Sequence, residues 1–369
     1  MIGRVEFEMT RILIVVDSAV YGGVEKVLTD IANSLCTDYD ITVVSTYYRD
    51  EFANLFDKRI KYKYIFKKFY FRIYGIMMKI PSNILRKLFV KGEYDIEIAF
   101  QEGIPFKLVS ISHAHKIGWL HNNIDVYDGN MAYAKNREKL IKMFKSFSDI
   151  VCVSEYSKKK VMLKYPELEK SLIKIYNPIR RDEIEAKASR DVCFKKTKFT
   201  ICVVGRITKE KGIFRIVNVC KKLLSEGENF ELLIVGCGDD LPALLSMVEK
   251  EGLKENIKIK GFTINPYPYI KESDLCVSPS YNESFGISLA EAIVLKTPAL
   301  SVRNGGADDV LKNGMYGMIC DNTDEALYKA LKEILNDKSV YSSLCEKVLL
   351  YQDDFSMKTC LDQIENLFN

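Results

Sequence analysis

The chain has 369 residues, and at roughly 150 residues per domain this length predicts two domains. Hydrophobic residues make up 47% and charged residues 28%, which excludes disordered, collagen-like and coiled-coil chains. The net charge of +4 is too small for nucleic-acid binding over the whole chain. The basic residues are concentrated, because residues 58–91 contain eleven Lys or Arg and no Asp or Glu.

Ten cysteines are spaced singly, without the C-x-x-C pairs of zinc or redox sites. This pattern indicates buried thiols in a reducing compartment. No apolar stretch reaches the ~18 residues that a spanning helix requires, and residues 1–10 lack the apolar region of a secretory signal. The sequence therefore predicts a cytoplasmic protein.

Short apolar runs alternate with segments of helical length along the chain. In the first half, the predicted strands are Arg11–Val16, Ile41–Ser45, Ile96–Phe100, Lys116–Leu120 and Ile150–Val153. In the second half, they are Phe199–Val204, Glu231–Val235, Asn256–Lys260, Asp274–Ser278 and Pro298–Val302. This alternation predicts the α/β class, with doubly wound parallel sheets.

A domain boundary is predicted near Asn177-Pro178, because a proline disfavours helical geometry at the residue before it and a strongly charged segment follows. Residues 1–178 and 179–354 are then two domains of similar size. Residues 355–369 form a predicted terminal helix with an apolar stripe. Ligands of doubly wound sheets bind beyond the carboxyl ends of the strands, so two such domains face to face predict a central cleft.

The strongest candidate site runs from Glu283 to Glu291, between a predicted strand and an apolar helix. The residues at the predicted N-terminus of this helix are Ser284, Phe285, Gly286 and Ile287. Free amides at a helix N-terminus favour a phosphate. The two glutamates are roughly 12 Å apart along the axis, more than the ~5–9.5 Å of a glycosidase carboxylate pair. They are expected to contact different hydroxyls of one extended ligand, the alternative being two surface glutamates.

A second candidate site is the turn from Gly205 to Gly212, after the first strand of the second domain. Arg206 and Lys211 place two cations at the carboxyl end of that strand. A diphosphate leaving group requires such neutralisation. The alternative is a solvated basic turn, which suits Lys209 better than the other two cations.

Two further candidates lie in the first half. Gly22 and Gly23 connect a strand to a helix, and their amides are expected to face phosphate or sugar oxygens across the cleft. They do not match G-x-G-x-x-G, so a dinucleotide site is disfavoured, and a plain turn is the alternative. His121 follows strand Lys116–Leu120 within the segment Trp119–Asn123, where it is either a catalytic residue or a structural one.

Metal-ligand spacing is not found among the His, Cys, Asp and Glu residues. Asp38-Tyr39-Asp40 has the Asp-x-Asp form of metal-dependent sugar transferases. It precedes strand Ile41–Ser45, so it lies at the amino end of that strand and is interpreted as a surface turn.

These motifs together resemble the retaining glycosyltransferases of the GT-B fold, family 4, also called glycosyl transferases group 1. The central match is the Glu–seven residues–Glu motif, and the resemblance runs in order over nearly the whole chain. The other matching positions are Gly22-Gly23, Trp119 to Asn122, Asn177-Pro178, Gly205-Arg206 with Lys211, Gly305-Gly306 and Phe355-Ser356. Tyr281-Asn282 and Ser284, on either side of the first glutamate, depart from the common pattern and leave the donor sugar open.

The resemblance implies transfer of a hexose or N-acetylhexosamine from a nucleoside diphosphate, expected to be UDP, to a saccharide acceptor with retention. The counterparts of Arg206 and Lys211 hold the donor diphosphate, and that of Glu291 binds the ribose hydroxyls. The counterpart of Glu283 and the amides after it contact the donor sugar. The terminal helix crosses back to the first domain in this family. No cofactor or metal is expected, because the two cations and the helix N-terminus already neutralise the diphosphate.

The segment Trp119 to Asn122 is similar to that of bacterial transferases that build capsule, exopolysaccharide or lipopolysaccharide. A nucleotide-sugar epimerase or a phosphorylase on the same fold is an alternative, although no lysine is marked for pyridoxal phosphate. A non-catalytic, membrane-docked protein that binds sugar nucleotides is a further alternative. A donor-only assay distinguishes these functions.

The basic stretch from Lys58 to Lys91 has eight aromatic residues interleaved with its cations. This composition suits an interfacial segment on an anionic membrane leaflet. The alternative is a solvated basic helix pair packed on the first domain. The membrane interpretation implies peripheral attachment to the inner face of the cell membrane and a lipid-linked acceptor, with no nucleic-acid partner.

Overall fold

The computed structural model describes residues 9–17, 22–68, 71–122, 124, 136–190 and 196–368. The chain forms two compact units, of which unit 1 comprises residues 1–178 with 357–369 and unit 2 comprises residues 179–356. Each unit is built on one parallel sheet. This architecture is the GT-B fold of two Rossmann-like units, as the sequence predicts.

Unit 1 has a seven-stranded sheet in the order β3-β2-β1-β4-β5-β6-β7. Its strands are β1 (Arg11–Val16), β2 (Asp40–Tyr47), β3 (Lys61–Phe66), β4 (Ile96–Ala99), β5 (His115–Leu120), β6 (Asp149–Cys152) and β7 (Leu172–Lys174). The central strand β1 is apolar and fully buried from Ile12 to Val16, as expected where helices cover both faces of a parallel sheet.

The described helices of unit 1 cover this sheet. They are α1 (Gly23–Leu35), α2 (Asp50–Ala53), α3 (Phe71–Lys79), α4 (Ser82–Phe89), α5 (Ile104–Val109), α6 (Arg137–Phe144), α7 (Glu155–Lys164) and the terminal α16 (Met357–Glu365). Helix α16 packs against α1 and buries Cys360 and Ile364 of its apolar stripe. The Tyr39 ring meets the Phe368 ring edge-on beside this contact.

Unit 2 has a six-stranded sheet in the order β10-β9-β8-β11-β12-β13. Its strands are β8 (Phe199–Val204), β9 (Phe230–Val235), β10 (Ile257–Gly261), β11 (Leu275–Ser278), β12 (Ala299–Val302) and β13 (Met318–Cys320). The helices are α8 (Arg181–Ala188), α9 (Ile213–Ser225), α10 (Leu241–Lys250), α11 (Tyr267–Glu272), α12 (Ile287–Val294), α13 (Gly306–Val310), α14 (Asp324–Asn336) and α15 (Lys338–Leu349).

Three strands were not predicted from the sequence, namely β3, β7 and β13. Strands β7 and β13 have three residues each, too few for a visible period. Strand β3 lies in the basic stretch and alternates Lys with Tyr, so its period of two is hidden among charged residues. The stretch is therefore a strand followed by two helices, which corrects the alternative of a plain helix pair. Among the described residues, no helix is both long and apolar enough to cross a bilayer.

Candidate functional site

The turns after β8 and β9 pack backbone against backbone. The amide of Gly205 donates to the Val235 carbonyl, and the amide of Ile207 donates to the Cys237 carbonyl at 2.9 Å. A Cβ atom added at Gly236 would lie 1.9 Å from the Gly205 oxygen, so only glycine fits there. This packing fixes the turn that carries Arg206 and Lys211.

Lys211 and Glu283 form an ion pair with an Nζ–Oε2 distance of 2.6 Å. Gly212, at a φ of +68°, lies so close to the next turn that an added Cβ would be 2.0 Å from the Pro279 oxygen. The Tyr281 amide also donates to the Glu210 carbonyl at 3.0 Å. These contacts bring together the first and second candidate sites of the sequence analysis.

The Arg206 side chain is exposed and has no hydrogen-bond or ion-pair partner among the described residues. It lies five residues before Lys211, on the same turn at the carboxyl end of β8. Its guanidinium is therefore available for an anion, whereas the Lys211 ammonium is already paired with a carboxylate.

The backbone of Glu283 is tied to the turn after β12. Its amide donates to the Asn304 carbonyl at 3.1 Å, and its carbonyl accepts from Gly306 at 2.8 Å. A Cβ atom added at Gly306 would lie 2.4 Å from the Phe285 oxygen. Three turns thus hold the Glu283 carboxylate next to Lys211.

Helix α12 begins at Ile287, after Gly286 in a left-handed conformation with a φ of +98°. The amides of Gly286, Ile287 and Ser288 have no acceptor among the described residues. Phe285 is buried and its ring meets Phe355 edge-on. The helix therefore presents free amides from Gly286 to Ser288, as an anion site requires.

Glu291 is buried within α12, with 5% of its surface exposed. The alternative that it is a surface glutamate is therefore wrong. Glu283 is partly buried as well, so neither carboxylate is a solvated surface group.

Arg215 is a site residue that the sequence analysis missed. It is buried on α9, donates from Nε to Asp324 at 2.6 Å, and donates from a terminal nitrogen to Pro279 and Asn322. Its guanidinium also lies 3.9 Å from the centre of the Tyr281 ring. Arg215 thereby supports the turn that leads into Glu283, and a lone cation on the apolar face of a helix was its only sequence signal.

Gly22 and Gly23 lie in unit 1, at the start of α1. The Gly22 amide donates to the buried Glu25 carboxylate at 3.0 Å. The Gly22 amide is therefore already paired within the chain, and its contact with a ligand stays a prediction. The Gly23 amide has no acceptor among the described residues.

His121 is buried in unit 1 at the carboxyl end of β5, where its ring lies next to the ring of Phe100 and parallel to the more distant ring of Trp119. Burial lowers the pKa of His121 to about 3, so the imidazole is neutral at physiological pH. Asn122 follows it and donates its amide and side-chain nitrogens to Glu102, both at 2.9 Å. Asn123 lies outside the described residues.

The described residues contain no group of three His, Cys, Asp or Glu side chains able to hold a metal ion. Asp40, from the Asp-x-Asp sequence, begins β2 and pairs with Lys61 of β3 at 2.8 Å. It lies at the amino end of the sheet, away from His121 and the other site residues of unit 1.

Comparison with known proteins places this geometry in a family. Residues 185–348 match the family described as Glycosyl transferases group 1. They include the turn of Arg206 and Lys211 and the segment from Glu283 to Glu291. Unit 2 is a glycosyl transferases group 1 domain.

Two relatives match parts of this chain. The 2-deoxystreptamine N-acetyl-D-glucosaminyltransferase of Niallia circulans is 30% identical over 150 residues, which are 40% of this chain and 39% of the relative. The capsular polysaccharide biosynthesis glycosyltransferase CapM of Staphylococcus aureus is 27% identical over 177 residues, 46% of each chain. The chain thus spans less than half the length of these two relatives.

The fold of the whole chain resembles HepE from Anabaena, whose structure was determined in complex with UDP and glucose. The TM-score is 0.75 at 16% sequence identity, and the match covers 97% of this chain and 98% of HepE. At this level of identity the likeness supports the GT-B fold.

Proposed function

We propose that the chain is a retaining glycosyltransferase that moves a hexose or N-acetylhexosamine from a nucleoside diphosphate to a saccharide acceptor. The observation that carries the proposal is the Lys211–Glu283 pair beside the free amides of α12, within a glycosyl transferases group 1 domain. The complexes of HepE with UDP and UDP-glucose support UDP as the nucleotide. The relationship to CapM supports a role in surface polysaccharide synthesis.

The candidate site residues of unit 2 are proposed to bind different parts of the sugar-nucleotide donor. The exposed Arg206, Lys211 and the α12 amides bind the donor diphosphate. Glu283, held by backbone contacts on both sides, accepts hydrogen bonds from hydroxyls of the donor sugar. The buried Glu291 binds the ribose hydroxyls.

The reaction requires little covalent chemistry from the protein. The acceptor oxygen bonds to the anomeric carbon on the face from which the diphosphate leaves, and the departing diphosphate oxygen takes the acceptor proton. Arg206 and Lys211 stabilise the negative charge that develops on the leaving group. His121 and Gly23 of unit 1 contribute through positioning. The proposed reaction involves no metal or cofactor.

The test is nucleotide release from UDP-glucose and UDP-N-acetylglucosamine, with and without saccharide acceptors. Release that rises with acceptor supports transfer. Interconversion of donor epimers without an acceptor would identify an epimerase, and binding without turnover would identify a non-catalytic protein. Activity lost in chelator and restored by Mg²⁺ or Mn²⁺ would contradict the metal-independent mechanism.

The exposed cations of residues 58–91 form a basic surface on unit 1. Its members are Lys58, Lys63, Lys67, Lys68, Arg72, Lys79, Lys87 and Lys91, none of which has an acidic partner among the described residues. Ile76 on α3 and Ile84 and Leu88 on α4 are 57%, 48% and 58% exposed among them. Cations with exposed aliphatic side chains suit an anionic membrane surface.

Other basic residues of the stretch have structural roles. Arg86 donates to the buried Glu97 carboxylate and to the Leu108 carbonyl, which fastens α4 to the sheet. Lys107, outside the stretch, donates to the carbonyls of Met77, Met78 and Ile80 and thereby fixes the end of α3. The two surface helices are therefore firmly attached to unit 1.

We infer that the basic surface binds the inner leaflet of the cell membrane and that the acceptor is lipid-linked. Each engaged cation contributes about 1 kcal/mol and is weakened by salt. Co-sedimentation with anionic and neutral liposomes tests this. The substituted residues are Lys67, Lys68, Arg72, Lys79 and Lys87, each changed to Gln. The matched control changes five exposed lysines of unit 2 to Gln, which are Lys250, Lys260, Lys271, Lys296 and Lys338.

Wild type and control are expected to sediment with anionic vesicles, and the five-fold variant is expected to stay in solution. High salt should release the wild type. Equal sedimentation with both kinds of vesicle, or with neither, would contradict the membrane proposal and favour a soluble acceptor.

A further inference from the structure

Phe355 and Ser356 belong to the glycosyltransferase motifs of the sequence, but the proposed reaction assigns them no role. They stand at the end of unit 2, directly before the chain returns to unit 1 at Met357. The Ile179 amide donates to the Phe355 carbonyl at 2.7 Å, and Ile179 forms a parallel bridge with Ser356. The backbone of Phe355 is therefore held where the chain enters and leaves unit 2.

An aromatic row, formed by the rings of Tyr316, Tyr351, Phe355 and Phe285, connects this segment to the loop before α12. The Phe355 ring meets the Phe285 ring edge-on with centres 5.3 Å apart, and it stacks on the Tyr351 ring at 5.9 Å. The Tyr351 ring meets the Tyr316 ring edge-on at 5.6 Å. Phe285, Phe355 and Tyr316 are buried, so a change in one ring is felt by its neighbour.

Polar contacts anchor the Tyr316 end of the aromatic row. The Tyr316 hydroxyl donates to the carboxylate of Asp354, the residue before Phe355. Lys312 Nζ donates to the Tyr316 hydroxyl and to Asp354 Oδ1, in each case at 3.1 Å. These contacts give the Phe355 ring a fixed position, against which the Phe285 ring packs.

The other end of the aromatic row reaches the free amides of α12. Gly286 separates Phe285 from this helix, has a φ of +98°, and provides no side-chain cap. A glycine is conformationally permissive and does not by itself fix the start of a helix. The buried Phe285 ring is therefore the side-chain anchor directly before the amides of Gly286, Ile287 and Ser288.

We propose that Phe355 is a positioning residue for the donor diphosphate. Its ring holds the Phe285 ring, and Phe285 in turn keeps the α12 amides aligned for the phosphate oxygens that accept from them. Loss of the Phe355 ring leaves a cavity beside Phe285, into which the loop can relax. The inference rests on the proposed function, because it takes the donor to be a nucleoside diphosphate.

UDP and uridine distinguish this role from general stabilisation, because uridine lacks the diphosphate. Phe355→Ala is expected to weaken UDP binding about tenfold and to leave uridine binding unchanged. Phe355→Leu keeps more of the buried volume, so it should fold well and show a smaller loss of the same kind. Calorimetry measures UDP binding, and ligand-observed NMR measures the weaker binding of uridine.

Phe199→Ala is the matched control. Phe199 begins β8, at the amino end of the unit 2 sheet, and its ring meets the Tyr341 ring edge-on with the same centre distance of 5.3 Å. Its loss is expected to destabilise unit 2 without changing the UDP affinity. Three results would overturn the positioning role: unchanged UDP affinity in both Phe355 variants, equal weakening of UDP and uridine, or an equal loss in the control.

A double-mutant cycle tests whether Phe355 acts through Phe285. In a Phe285→Leu background, Phe355→Ala should change the UDP dissociation constant little, because the ring that Phe355 holds is already absent. Fully additive effects would show that Phe355 does not act through Phe285. A wild type that binds no UDP would contradict the proposed function and this inference together, whereas wild-type binding that ignores Phe355 would contradict the inference alone.

Discussion

At the scale of single residues, the two cations at the end of β8 differ in their surroundings. Arg206 is exposed and unpaired among the described residues, whereas Lys211 is held by Glu283. Arg206→Ala or Lys211→Ala is expected to reduce turnover by about 10²–10³, or ~3 kcal/mol, because each removes charge stabilisation of the leaving diphosphate. Steady-state kinetics with Lys209→Ala, an exposed lysine of the same turn, provides the control. Equal rates in all three variants would refute the assignment.

Glu102 makes the stability of unit 1 depend on pH. Burial raises the pKa of Glu102 from 4.5 to about 7, so the folded chain binds a proton that the unfolded chain has released. The free energy of unfolding should therefore fall as pH rises through this window. From about pH 5 to about pH 8 the loss is roughly 2 to 3 kcal/mol.

Urea unfolding of wild type and Glu102→Gln at the two pH values isolates this contribution, because the other titrating groups are common to both proteins. Asp17 acts in the same direction, since burial raises its pKa to about 6, and His121 acts in the opposite direction. The pH dependence should be weaker in Glu102→Gln. An identical dependence in both proteins would show that Glu102 is ionised throughout.

Sequence patterns identified the candidate site residues that belong to short motifs. Arg206, Lys211, Glu283 and Glu291 follow strands in the sequence, and the structure brings the turn of Arg206 and Lys211 next to the turn of Glu283. Arg215 was missed because its partners are more than 60 residues away in the chain. Such contacts depend on how distant segments pack, which no local pattern contains.

At the scale of elements, the turns of unit 2 depend on glycines that let backbones touch. Gly236→Ala would place a Cβ 1.9 Å from the Gly205 oxygen, at a φ of +148°. It is expected to lower the free energy of unfolding by more than about 2 kcal/mol and to displace the Arg206 turn. Gly227→Ala is the matched control, since it also has a positive φ but no atom lies within 4 Å of its Cβ. Chemical denaturation should show a clearly smaller loss for the control.

The fold class followed from the sequence because buried parallel strands are continuous apolar runs. Arg11–Val16 and Phe199–Val204 were predicted with the bounds that the structure has. The edge strands were harder to predict from the sequence, because β3 alternates Lys with Tyr and β13 has only three residues. Edge strands bury less surface, so their sequences are less constrained.

At the scale of the whole molecule, the chain divides its chemistry between two units. Unit 2 holds the cations, the glutamates and the helix amides of the proposed donor site. Unit 1 holds the buried His121 and the basic surface. The residues of the proposed donor site could be predicted from motifs, whereas the exposed aliphatic side chains of the basic surface became visible only in the structure. The acceptor's identity depends on surfaces that no short motif marks.

The central claim is that this chain transfers a sugar with retention. Proton NMR of the product formed from an α-linked UDP-sugar and a saccharide acceptor measures the anomeric configuration of the new linkage. Retention predicts an α linkage. In a gluco-configured product its anomeric proton is equatorial and shows a small coupling constant. A β linkage would contradict the retaining mechanism. It would also contradict the proposal that the acceptor attacks the donor sugar on the face from which the diphosphate leaves.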